Sequence, residues 1–161
     1  MTNYTLRALV PADQDVVRQL VTESWGAPTV VVGQARVVDP GTLPGLIAED
    51  HAEIVGLLTY EITGTSAEIV TLNAFRAGSG IGKALMKRAE EILRAQGIKR
   101  IFLMTTNDNT DGLRFYQRLG YRLKELRVNA IAESRKVKPE IPLTGEHGIP
   151  IRDELELELT L

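Results

Sequence analysis

The sequence contains no cysteine. That absence removes a disulfide framework, thiolate-ligated zinc and a cysteine nucleophile together. Histidine is nearly absent too: His51 and His147 are the only two, and neither has a partner at metal-ligand spacing, so both read as loop histidines and no metal is expected. No run approaches the roughly 18 apolar residues of a membrane span, and the opening MTNYTLRALVPADQ has no basic stretch followed by an apolar one. A cytoplasmic protein without a membrane anchor is the expectation. Neither charge sign dominates, with 19 basic against 21 acidic residues and a net charge of −2, which argues against a basic face for nucleic acid.

What is present suits a globular enzyme-sized unit: 161 residues, 43% hydrophobic and 25% charged, read as one domain over 1–161. Strand and helix patterns alternate, which favours an α/β layer architecture. Tyr4 to Leu9 reads as a strand, and Pro11-Ala12-Asp13 opens a helix with Val16, Val17, Leu20 and Val21 at helical spacing, ended at Trp25-Gly26. The valine-rich stretch 29–38 precedes an Asp39-Pro40-Gly41 turn. Leu46 to Glu49, Ile54 to Ile62 and Ala67 to Phe75 follow as an antiparallel meander. Ile81, Ala84, Leu85, Ala89, Ile92 and Leu93 form one apolar stripe on a long helix that Gly97 caps. Lys99 to Thr105 is the next strand, Asn109 caps a helix carrying Leu113, Phe115, Tyr116 and Leu119, and Tyr121 to Val128 returns as a strand. From Glu133 to Asp153 the pattern fades into a loop of about twenty residues, long enough to cover a site. The basic run 135–138 within it reads as a solvated face that could otherwise meet a nucleotide phosphate or an acidic acceptor. The closing ELELELTL alternates strictly. Such clean polarity implies either a solvated face or a strand that pairs with a second copy, as in a homodimer.

The stretch RAGSGIGKAL, residues 76–85, carries the chemistry. A P-loop requires glycine at 77 and a hydroxyl at 84; both positions are alanine. The dinucleotide fingerprint requires a third glycine where Lys83 stands. What survives is a glycine turn that lets backbone N–H groups at the start of a helix face an anion without an obligatory metal. The plain alternative is a turn shaped by glycine alone.

Together these residues resemble the GCN5-related N-acetyltransferase (GNAT) superfamily, whose central motif is Gln/Arg-x-x-Gly-x-Gly/Ala between the fourth strand and a long helix. Gly80 and Gly82 take the small positions; the Gln/Arg position falls on Ala77, with Arg76 one residue early. Glu68 stands nine positions before Ala77, where some members place a general base, and Asn109 precedes Tyr116 by seven in NTDGLRFYQRLGYRL. The element order agrees across about residues 4 to 128, and a final strand is expected.

The resemblance implies a three-layer fold, a mixed and mostly antiparallel sheet of about seven strands with helices on both faces. It also implies an enzyme, an N-acyltransferase that moves the acetyl group of acetyl-CoA directly onto an amine of a small molecule, peptide or protein. On this reading Val70, Thr71 and Leu72 present backbone groups to the pantetheine arm and acetyl carbonyl. Gly78, Ser79, Gly80, Ile81, Gly82 and Lys83 hold the pyrophosphate, and Asn109 contacts the cofactor as well as capping its helix. Tyr116 is the general acid and Glu68 the base. Each has a plainer reading: Lys83 a solvated lysine, Tyr116 a packed aromatic, Glu68 a residue on a solvated face, Trp25 packing for the first helix rather than part of the acceptor side. The competing function is a CoA-binding sensor without turnover, kept open by Ala77. A nucleotide-dependent phosphotransferase is disfavoured by Ala84.

Overall fold

The computed structural model describes residues 3–161. Along the chain run β1 (Thr5–Ala8), α1 (Gln14–Trp25), β2 (Val30–Val32), β3 (Arg36–Val38), β4 (Gly45–Asp50), β5 (Glu53–Thr63), β6 (Ser66–Ala74), α2 (Ile81–Ala95), β7 (Arg100–Thr106), α3 (Thr110–Arg118), β8 (Arg122–Arg127), α4 (Ile131–Val137) and β9 (Glu154–Thr160). This is the mixed α/β architecture expected, with seven strands in the order β1-β4-β5-β6-β7-β9-β8 and β2-β3 as a separate ribbon. The chain divides into two compact units.

Among the described residues the first unit comprises 3–30, Asp39–Ile101 and Leu161. Its strands β1, β4, β5 and β6 pair antiparallel in the meander that the spacing predicts. The β4–β5 hairpin turns through His51 and Ala52, both at positive φ, and β5–β6 through Gly64 at φ +61°. Helix α1 buries Val17 and Val21 and ends at Gly26, whose φ of +80° makes the left-handed cap. Trp25 at that end stays 39% exposed, so it is not the packing anchor of the helix. Helix α2 buries Ile81, Leu85, Met86, Ala89 and Leu93. It sits unusually close to β5, because a Cβ at Gly56 would lie 2.5 Å from Ile81 Cγ2 and 2.9 Å from Leu85 Cδ1.

The second unit comprises Val31–Val38 and Phe102–Thr160. The stretch 29–38 is broken: Gln34 and Ala35 adopt positive φ between β2 and β3, folding one valine-rich run into two short strands. The 133–153 segment is not a featureless loop. Helix α4 occupies Ile131–Val137, a 3-10 turn spans Glu146–Gly148, and Thr144 bridges Pro150. Side chains fasten it: Arg135 donates to the carbonyls of Ile141, Pro142 and Ile151, and Asn107 donates to Pro150 O while accepting from the N–H groups of Arg152 and Asp153. Arg135 is therefore a staple rather than part of a solvated basic face.

The closing strand departs furthest from expectation. β9 lies between β7 and β8, so neither of its edges is free to pair with a second copy. Nor is its polar side solvated, since Glu154 is 5% and Glu156 7% exposed. Arg127 of β8 makes that possible: its guanidinium donates to Glu154 Oε1 and Glu156 Oε1, each at 2.9 Å, and to Glu125 Oε2 at 3.0 Å. In the register Arg127 stands opposite Glu154 and Glu125 opposite Glu156. Alternation in sequence reported two faces, but not that the charged one is covered.

The seat of α2 gives a direct check. Gly56→Val should lower unfolding free energy by about 1–3 kcal/mol, the cost of overpacking a tight contact, seen as a reduced urea midpoint at unchanged m-value. A midpoint equal to that of the parent would show that the helix can slide to make room.

Candidate functional site

In the first unit the candidate site begins with an irregularity in β6. Up to Ile69 the register with β5 pairs Glu61 with Glu68 and Tyr60 with Ile69; beyond it Thr59 pairs with Thr71 and Leu58 with Leu72. Val70 is left over, a β-bulge that bends the strand and redirects its backbone groups. The bulge falls on the first of the three residues expected to face the cofactor arm. Thr71 is buried and its hydroxyl lies 2.7 Å from that of Thr59.

Beyond β6 the chain turns through residues 75–80. Gly78 and Gly80 have φ of +67° and +78°, and a Cβ on either would meet nothing within 4 Å. Backbone conformation, not crowding, requires glycine here, and the turn presents an open face. Gly80 is the N-cap of α2 and brings no side chain to it. The first helical bond runs from the Ala84 N–H to Gly80 O, so the N–H groups of Ile81, Gly82 and Lys83 have no carbonyl within the helix. They sit at the positive end of a 15-residue helix, with the exposed Lys83 beside them. Ser79 stabilises the turn by donating to Arg76 O at 2.6 Å. The arginine is committed elsewhere: it bonds Asp50, and Glu53 Oε2 at 2.9 Å, which keep the guanidinium firmly protonated. These donors and the bare glycine cradle fit a pyrophosphate.

Glu68, also in the first unit, is only 6% exposed, which rules out a solvated face.

In the second unit Asn109 caps α3, as expected. Its Oδ1 accepts from Gly112 N at 3.0 Å and its Nδ2 donates to Thr105 Oγ1 at 2.8 Å. A Cβ at Gly112 would fall 2.2 Å from Asn109 Nδ2, so the cap depends on that glycine. Tyr116, on the same helix, packs edge-on against Phe115 and Tyr121, with ring centroids 5.2 and 6.2 Å away. Part of its surface remains accessible, yet the hydroxyl is enclosed densely enough that desolvation pushes its pKa up to about 12. It is a packed aromatic and a persistently protonated donor at once.

Two features lay beyond reach of the motif. Asp111, Glu146 and His147 bring ligand atoms within 4.8 Å of one another, with His147 Nε2 3.1 Å from Asp111 Oδ2. All three are exposed and form no enclosed coordination sphere. A cavity of about 110 Å³, wholly within the second unit, is lined by Met104, Ile131, Ser134 and Glu154 among others. The odd alternation of ELELELTL was the only hint of it.

A family model described as the acetyltransferase (GNAT) family matches residues 14–121. The chain is 44% identical over 145 residues to protein YxbD of Bacillus subtilis (strain 168), covering 89% of this chain and 91% of that one. Among solved structures it resembles an IAA acetyltransferase from Bacillus cereus ATCC 14579, with a TM-score of 0.70 at 19% identity, over 98% of this chain and 99% of that one. It also resembles a GNAT family acetyltransferase from Elizabethkingia anophelis with acetyl-CoA bound, with a TM-score of 0.69 at 20% identity over the whole of both chains. The chain belongs to the GNAT acetyltransferase family. No helix among the described residues is long and apolar enough to cross a membrane.

Enclosure of the Tyr116 hydroxyl should be visible by absorbance. The difference between parent and Tyr116→Phe in an alkaline titration should show one phenol ionising near pH 12, about two units above a free tyrosine. A difference spectrum with its midpoint near pH 10 would contradict the packing described.

Proposed function

We propose that the protein is an acetyl-CoA-dependent N-acetyltransferase, one catalytic domain over 1–161 that transfers the acetyl group directly to an amine. The observation that carries this reading is the start of α2: an uncapped run of N–H groups behind two left-handed glycines, in a chain of GNAT membership.

Residues 78–83 would hold the pyrophosphate through backbone N–H groups, with Lys83 adding charge. Val70, Thr71 and Leu72, at the bulge, would offer backbone groups to the pantetheine arm. Acetyl-CoA supplies an activated acyl thioester. The acceptor amine must lose a proton, and Glu68 would take it, directly or through water. The departing thiolate must gain one, and Tyr116 would provide it. A phenol with a pKa of about 12 stays protonated throughout the neutral range and is a dependable donor, though a weaker acid than an unperturbed tyrosine. Asn109 would contact the cofactor through the second hydrogen of Nδ2, its other polar atoms being engaged in the cap. The sensor alternative draws on one observation: Ala77 brings no side chain to the motif position, and the neighbouring Arg76 is held by carboxylates.

Release of free thiol from acetyl-CoA across a panel of amines tests the activity, and thiol release with none of them would favour the sensor. Tyr116→Phe should lower kcat by about 10²-fold while acetyl-CoA affinity changes by less than about two-fold; equal losses in both would remove the acid role. Because the tyrosine ionises so late, no basic limb attributable to it should appear below about pH 10. The acidic limb of the rate profile should move in Glu68→Gln, and an unchanged limb there means that another group is the base.

A further inference from the structure

The geometry points to the cavity beneath α4 as a binding site for an alkylammonium group, with Glu154 as the residue that reads its charge. On the proposed function this makes the acceptor an aliphatic amine, so the assignment of the cavity to the acceptor rests on that reading; the binding chemistry does not.

The cavity has apolar walls from Val31, Met104, Ile131 and Ile141, and Glu154 is its only charged lining residue. At about 110 Å³ it has room for a short alkyl chain rather than a single water, whose share of liquid volume is about 30 Å³. Glu154 is 5% exposed, far more buried than a carboxylate normally tolerates without full compensation. Its compensation is incomplete. Oε1 accepts from Arg127 Nη1, whereas Oε2 has no hydrogen-bond donor among the described residues. Arg127 is itself divided, donating also to Glu156 and Glu125, so one guanidinium faces three carboxylates. Arg135 on α4 spends its guanidinium on the carbonyls of Ile141, Pro142 and Ile151.

The result is a small, partly apolar slot into which a buried carboxylate brings an open acceptor atom. A neutral alcohol would fill the volume but offer the carboxylate only a neutral hydrogen bond, weaker than a charge-assisted one; a quaternary ammonium would supply charge without a donor. A primary alkylammonium supplies chain, charge and three N–H donors. Such a group occurs as a free amine or at the end of a lysine side chain.

Met104 makes the test direct. Its side chain lines the cavity and its Sδ lies 3.3 Å from Arg127 Nη1, while Met86 is fully buried in α2 of the other unit and serves as a reference. In protein labelled with ¹³C-methyl methionine, without acetyl-CoA, titration with n-butylammonium chloride should move the Met104 methyl signal saturably and leave Met86 in place. Shortening the amine to propyl and ethyl should weaken binding by about four-fold per methylene. Butan-1-ol should bind at least about ten-fold more weakly, and Glu154→Gln should cost the amine a similar factor.

Should loss of the Arg127 pair unfold that variant, Ile141→Phe fills the slot while sparing the pair, and it should abolish the shift. A capped Gly-Lys-Gly peptide that moves Met104 assigns the site to protein lysine; one that does not assigns it to free amines. A Met104 signal indifferent to n-butylammonium, or equally responsive to butan-1-ol, overturns the proposal. Transfer to amines without any Met104 response would sink the cavity and keep the transferase; a Met104 response in a protein that never releases thiol would do the reverse.

Discussion

Helix α2 can settle on its sheet only because residue 56 has no side chain. The gap at Gly56 lets Ile81 and Leu85 pack directly on the β5 backbone, which fixes where the helix begins. From that seat follows the rest of the first unit's site. The helix start must be reached from the end of β6 in six residues, 75–80, and the chain manages this by two left-handed glycines. The N–H groups left facing outward are a by-product of that geometry, since the tight turn supplies no capping side chain. A packing constraint in the core thus produces an anion-facing surface at the periphery.

The second unit solves a different problem, that of keeping charge inside a sheet. A buried carboxylate is costly unless something answers it. Arg127 answers two buried glutamates and an exposed one, and its planar fork is suited to dividing itself in this way, as a lysine would not be. The Glu154 oxygen that Arg127 does not reach leaves a polar demand inside a cavity walled in part by Val31, Met104, Ile131 and Ile141.

Legibility in the sequence followed the range of the interactions involved. The meander, both long helices and their glycine ends were readable because periodicity and turn chemistry are local. The same holds for the Asn109 cap, whose partner is three residues away. What could not be read was set by contacts distant in sequence. Helix α4 is short and fastened by Arg135 to carbonyls up to 16 residues on, so its weak pattern looked like loop. The tail's glutamates looked solvated because Arg127, 27 and 29 residues before them, carries no mark of its role. The bulge at Val70 and the tight seat at Gly56 belong to strand pairing and helix packing, which no short window contains.

Arg76 ties the glycine turn to its surroundings. Its two carboxylate partners lie on the β4–β5 hairpin, so the arginine acts as a guy-line from the turn to a pair of strands. The line is electrostatic and partly exposed, and such pairs weaken as added salt screens them. The cradle formed by glycine φ angles and helix N–H groups has no such dependence. Ionic conditions therefore act on how tightly the turn is held rather than on what it presents, so that its anchoring and its chemistry are set by separate parts of the chain.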